Sequence, residues 1–138
     1  MNNFQALKDY LTEQNLRYED GWLDDGTAYC RILHRFKSGQ DVTLLFVFNP
    51  NETMLDIYLI GLVKFDNPLK REEVLILLNG LNIKYRFYKF ILNDDGTVNV
   101  RAALPTLNFC PEEAVGLGVS MVVDVENEYQ KFMRLRWA

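Results

Sequence analysis

Histidine is close to absent from this chain: His34 is the only one among 138 residues. Acid–base and nucleophilic catalysis need a second positioned group beside the proton carrier, and the residues around His34 supply none. His34 is therefore read as a packed or edge residue of a strand, no catalytic residue is assigned, and a non-enzyme is expected. Cysteine is also scarce. Cys30 and Cys110 fall in no metal-ligand spacing and are too few for a disulfide framework, which leaves two reduced, mostly buried thiols. No basic cluster accompanies the net charge of -4, so a nucleic-acid partner is excluded: phosphate binding needs Lys and Arg gathered on one face. Long apolar runs are missing too. None approaches the ~20 residues of a membrane span, and MNNFQALKDYL lacks a basic region followed by an apolar segment, so a cytoplasmic protein with no membrane partner is expected.

The acidic pairs Glu19-Asp20, Asp24-Asp25, Glu72-Glu73, Asp94-Asp95 and Glu112-Glu113 each fall in a turn or a helix start. Asn93-Asp94-Asp95-Gly96 lacks the alternating acidic positions and the later glutamate of a calcium loop. Neither a metal nor a cofactor is expected.

What is present is an ordinary globular composition, 49% hydrophobic and 25% charged, at a length suited to one domain over residues 1–138. Asn3 is placed to cap a first helix with Phe4, Leu7, Tyr10 and Leu11 on one side. Residues 19–26 read as turn-rich, with Trp22 as an apolar plug in a short strand or loop. Three strands follow: Thr27–Lys37; Val42–Phe48, apolar on both faces and so expected to be covered on two sides; and Thr53–Phe65, interrupted by Gly61 at a bulge or a close backbone approach. Asn67-Pro68 opens a second helix with Val74, Leu77, Leu78 and Leu81 toward the sheet. A last helix starts at Pro111 and runs to about Arg134, with the stripe Ala114, Gly118, Met121, Val125, Tyr129 and Phe132. Its β-branched, glycine-rich first half leaves a strand reading of Val119–Val125 open.

Between these helices, Asn93-Asp94-Asp95-Gly96-Thr97 predicts a hairpin loop closed by Gly96 in the left-handed region. A three-residue loop sets Leu92 against Val98, Phe90 against Val100 and Tyr88 against Ala102 on one face. The other face then carries Tyr85, Phe87 and Ile91, a candidate interface. Asn79 and Asn82, where helix meets strand, are read as a cap and brace for orphaned backbone groups, worth about 1 kcal/mol for Asn82. The resulting order is α-β-β-β-α-β-β-α: an α+β fold with one mostly antiparallel five-stranded sheet and helices mainly on one face. The uncovered face, with Leu45 or Val47, or else the last helix, is expected to form a two-fold homodimer.

The segment LLNGLNIKYRFYKFILNDDGTVNVRAALP, the preceding LDIYLIGLVKFDNPLKREEVLILLNGLN and the element order resemble the YbjN-domain family, bacterial proteins described as sensory transduction regulators. The likeness runs from the first helix to Tyr129. Its motif is Asn79 and Asn82 around Leu81, then Lys89-Phe90 and the Asp-Gly hairpin. The resemblance implies the fold of type III secretion chaperones, small α+β proteins that commonly pair and bind extended protein segments, and it brings no catalytic residues. Gly116 and Gly118 depart from the family pattern and bear on how straight the last helix runs. Two functions are consistent with this: a chaperone-like module that binds another protein through its sheet or helix face, or a sensory domain with a small-molecule pocket between the sheet and the last helix.

Overall fold

The computed structural model describes residues 2–137. The chain runs α1 (Asn3–Glu13), β1 (Glu19–Trp22), β2 (Ala28–Arg35), β3 (Asp41–Phe48), β4 (Met54–Lys64), a 3-10 turn at Pro68–Lys70 leading into α2 (Arg71–Lys84), β5 (Lys89–Leu92), β6 (Thr97–Pro105) and α3 (Pro111–Trp137). All strands join one antiparallel sheet in the order β1-β2-β3-β4-β6-β5. The α+β class stands, and the expected five strands are corrected to six.

The added strand is β1, and its turn carries the chemistry read at the later hairpin. In Leu23-Asp24-Asp25-Gly26-Thr27, Asp25 accepts the Thr27 N–H at 2.9 Å and Leu23 donates to the Thr27 carbonyl at 2.8 Å. In Asn93-Asp94-Asp95-Gly96-Thr97 the equivalent distances are 3.0 and 2.8 Å. Gly26 and Gly96 take φ of +92° and +89°, the left-handed region that a side chain enters only at a cost. A Cβ on Gly96 would also fall on the Phe65 carbonyl oxygen.

The hairpin register holds where the ladder forms: Leu92 opposes Val98 and Phe90 opposes Val100. The Tyr88–Ala102 pair is not made, because β5 begins only at Lys89. Tyr88 is instead tied to α3, its hydroxyl bonded to the Asp124 carboxylate. The first helix is capped by Asn2 rather than Asn3, with Asn2 Oδ1 accepting the Gln5 N–H at 2.7 Å. In β4 the register shifts between Leu59 and Val63, at Gly61, the bulge anticipated there.

Burial is one-sided. Along β3, Val42, Leu44, Phe46 and Phe48 are buried while Thr43, Leu45 and Val47 are only half-buried, so this strand is roofed on one face and not on two. The roof is mainly α3. Ala114, Gly118, Met121, Val125, Tyr129 and Phe132 are all buried as the stripe required, and the helix runs on to Trp137, which excludes the strand reading of Val119–Val125. Gly118 explains how a segment of poor helix propensity is held. Its missing side chain lets the backbone settle on the sheet, where a Cβ would stand 3.1 Å from both Leu44 Cδ2 and Phe46 Cζ. Each large side chain fully buried beneath the helix contributes about 1.5–3 kcal/mol, enough to override propensity differences of under ~1 kcal/mol per residue.

The two glycines of α3 should therefore answer substitution oppositely. Gly118→Val overpacks the helix–sheet contact and is expected to lower unfolding free energy by about 1–3 kcal/mol. Gly116→Ala meets nothing within 4 Å and is expected to raise it by about 0.5–1 kcal/mol. Urea denaturation of the two variants checks both signs.

Candidate functional site

Among the described residues the three helices lie on one side, and the other face of the sheet is open. Opposed pairs share a face, so Tyr29 lies beside Val47, Arg31 beside Leu45, Leu45 beside Tyr58 and Thr43 beside Ile60. The half-buried side chains of Leu45, Val47, Tyr58 and Ile60 form an apolar strip across β3 and β4. Charge pairs flank it on both sides. Arg31 bonds Glu19 toward β1, and Arg101 bonds Asp56 at 2.9 Å toward β6, with its guanidinium 5.8 Å from the Tyr58 ring centre. These exposed pairs contribute little to folding, since water screens them, and they serve instead to frame the strip.

The expected patch of Tyr85, Phe87 and Ile91 is divided by this geometry. Phe87 and Ile91 remain exposed, at 75% and 37%, and line one surface cleft together with Ala103. Tyr85 belongs to the opposite, helix-covered side. Its ring stacks on Tyr88 at 5.6 Å and lies 6.1 Å from Phe90, because residues 85–88 leave the plane of the sheet before β5 starts. Burial, and then the Asp124 carboxylate, push the Tyr88 hydroxyl well above the usual phenol range, so it stays a proton donor.

The brace rests on Asn82. Its carboxamide accepts the Phe90 N–H at 2.6 Å and donates to the Phe90 carbonyl at 3.1 Å. In this ladder Phe90 turns both groups away from β6, so Asn82 supplies the two bonds a neighbouring strand would have made. Asn79 is exposed, and no hydrogen bond of its side chain occurs among the described residues, so it takes no part in the brace. Gly96 closes the hairpin as expected.

One residue escaped the sequence reading. Glu128, 3% exposed, is the buried acid of α3, bonded to Lys84 at 3.2 Å and Lys131 at 3.0 Å. Only the i,i+3 spacing to Lys131 was visible in the sequence. Burial pushes the Glu128 carboxyl up, but Lys131 and Lys84 outweigh it and hold the group below the ordinary glutamate value of 4.5. The pair joins the end of α2 to α3. Elsewhere, His34 is exposed on β2 beside Phe36, and burial raises the Cys30 thiol to about 12, which leaves it protonated and unreactive at neutral pH. Among the described residues no three His, Cys, Asp or Glu side chains gather into a metal-binding group, and no helix is long and apolar enough to cross a membrane.

Asn82→Ala leaves the Phe90 N–H and carbonyl without partners and is expected to cost about 1–3 kcal/mol, with faster hydrogen exchange at the Phe90 amide. An unchanged melting temperature and exchange rate would refute the brace. For Glu128 the folded-state value is depressed, so its stabilisation is present above the ordinary glutamate value and is lost as pH falls through the folded one. Wild type should exceed Glu128→Gln in urea stability at about pH 7, and the gap should shrink as pH falls below the ordinary glutamate value and through the depressed folded one.

Comparison with known proteins places this arrangement. No curated protein matches the chain. A family model, YbjN, described as "Putative bacterial sensory transduction regulator", matches residues 3–117, from α1 through all six strands and into the first turns of α3. The match takes in the Asn82 brace, the hairpin and the whole open face, and the chain belongs to the YbjN family.

Proposed function

We propose that this chain is a non-enzymatic regulatory module of the cytoplasm that works by binding another protein through the open face of its sheet. The observation that carries the reading is the strip of Leu45, Val47, Tyr58 and Ile60, half-buried and roofed by nothing among the described residues, with charges of both signs at its borders. An apolar centre inside a polar rim is the anatomy of a protein interface. The family's description as a regulator is compatible with such a role. The fold that the family resemblance implies, that of type III secretion chaperones, which bind extended protein segments, supports it by analogy. The homodimer is one form of the same proposal: two copies stack their open faces about a two-fold axis, strip against strip.

The alternative of a small-molecule pocket between the sheet and α3 has less support. Met121, Val125 and Phe132 are fully buried there, and Gly118 brings the helix onto Leu44 and Phe46. Packing fills the space the pocket needs.

Tyr58→Glu places a charge at the centre of the strip without touching the roofed core. Sedimentation equilibrium at micromolar concentration, together with affinity capture from a bacterial lysate, is expected to show association by the wild type and its loss in the variant at unchanged circular dichroism. A wild type that stays monomeric and retains no protein beyond those retained by Tyr58→Glu would reject the proposal.

A further inference from the structure

The two long edges of β6 are not equally used. Its even-numbered residues turn their backbone groups to β4, as Thr106 shows by donating to the Thr53 carbonyl at 3.0 Å. The odd-numbered ones turn to β5, as Thr97 shows by accepting from Asn93 at 2.8 Å. The β5 ladder stops at the Lys89–Arg101 pair, yet β6 continues to Pro105. Ala103 therefore presents its N–H and carbonyl, and Pro105 its carbonyl, to the place residues 85–88 vacated on turning toward Asp124. A surface cleft occupies that place, bounded by Arg86, Phe87, Lys89, Arg101 and Ala103. The contrast with β5 is direct, since Asn82 seals the outer edge of that strand at Phe90.

The cleft also has a charge and an anchor. Arg86 and Lys89 are exposed and make no ion pair among the described residues, on a chain whose net charge is -4. The nearby acid, Asp56, opposite Ala103, is engaged by Arg101. Phe87 stands 75% exposed at the rim, a large apolar surface with no partner of its own in the core.

We infer that the stretch from Ala103 to Pro105 is a strand-addition site for an extended acidic polypeptide segment. The segment pairs with the Ala103 N–H and carbonyl and the Pro105 carbonyl, packs an apolar side chain on Phe87, and sets its carboxylates near Arg86 and Lys89. This deepens the protein-binding reading but uses the edge of the sheet instead of its face, so the two fail separately.

The probe is a short fluorescein-labelled peptide alternating glutamate with valine, titrated with the full chain. Fluorescence anisotropy is expected to show binding that weakens with salt, together with slowed hydrogen exchange at the Ala103 amide. The same peptide N-methylated throughout, which cannot donate to a strand edge, should lose about tenfold or more in affinity, as should a lysine-for-glutamate version. On the protein side, Arg86→Glu with Lys89→Glu should weaken binding about tenfold. Ala103→Pro removes the edge donor while leaving the β4 pairing of residues 102 and 104 in place, and should abolish binding. If Ala103→Pro does not fold, the methylated peptide decides. Undiminished binding of the methylated peptide, unchanged exchange at Ala103 in the bound state, or no binding of the acidic peptide would each overturn the inference. Binding lost in Tyr58→Glu and kept in Ala103→Pro would also overturn it, while leaving the face as the site. Binding kept in Tyr58→Glu supports the edge.

Discussion

The close seat of α3 on the sheet governs the rest of this molecule. At Gly118 the helix backbone approaches Leu44 and Phe46 so nearly that a methyl group would crowd them. That approach places Met121, Val125 and Phe132 in full contact with the inner face and makes it dry. A six-stranded antiparallel sheet has two faces, and this chain spends all its helices on one. What is left open is consequently not a defect of the core but its reverse side. Each strand alternates, so every buried Leu44 or Ile57 implies a neighbour such as Leu45 or Tyr58 turned outward.

The β5 side of the sheet is an edge in two stretches, β5 itself and the end of β6 that outruns it, and the chain treats them differently. At β5 a side-chain amide imitates the missing strand: Asn82 gives Phe90 one donor and one acceptor from the end of α2. The buried Glu128, held between Lys84 and Lys131, fixes that end of α2 to α3, so the amide is delivered from a rigid support. Before Lys89 no such protection occurs among the described residues. Proline at 105 removes one donor, a common device at sheet edges, but the Ala103 groups stay available. Face and edge are the two surfaces on which the proposed binding of polypeptide rests, and the family's description as a regulator is compatible with such a role.

Much of this was legible in residues. The Asn93–Thr97 turn chemistry and the apolar matches Leu92/Val98 and Phe90/Val100 set one register, and the structure has it. The α3 stripe was readable despite poor propensity, because its spacing is helical over the whole length. The missed strand β1 was readable too: Asp24-Asp25-Gly26-Thr27 repeats the later turn, but Glu19–Trp22 is short, polar and exposed, so no apolar alternation marked it. Tyr85 was misplaced for a different reason. Counting alternate positions back from Phe90 assumes the strand continues, and nothing local shows that a Tyr88–Asp124 bond across 36 positions ends it.

The sequence by itself determined the class of fold, the hairpin register, the brace at Asn82 and the family, because turn chemistry, periodicity and capping act over a few neighbouring residues. Only the tertiary structure decided that β3 is roofed on one side, that Glu128 finds two lysines, and that β6 outruns β5 to leave Ala103 bare. Those outcomes depend on which distant surfaces meet, as at Gly118, where the helix reaches the sheet because a side chain is not there.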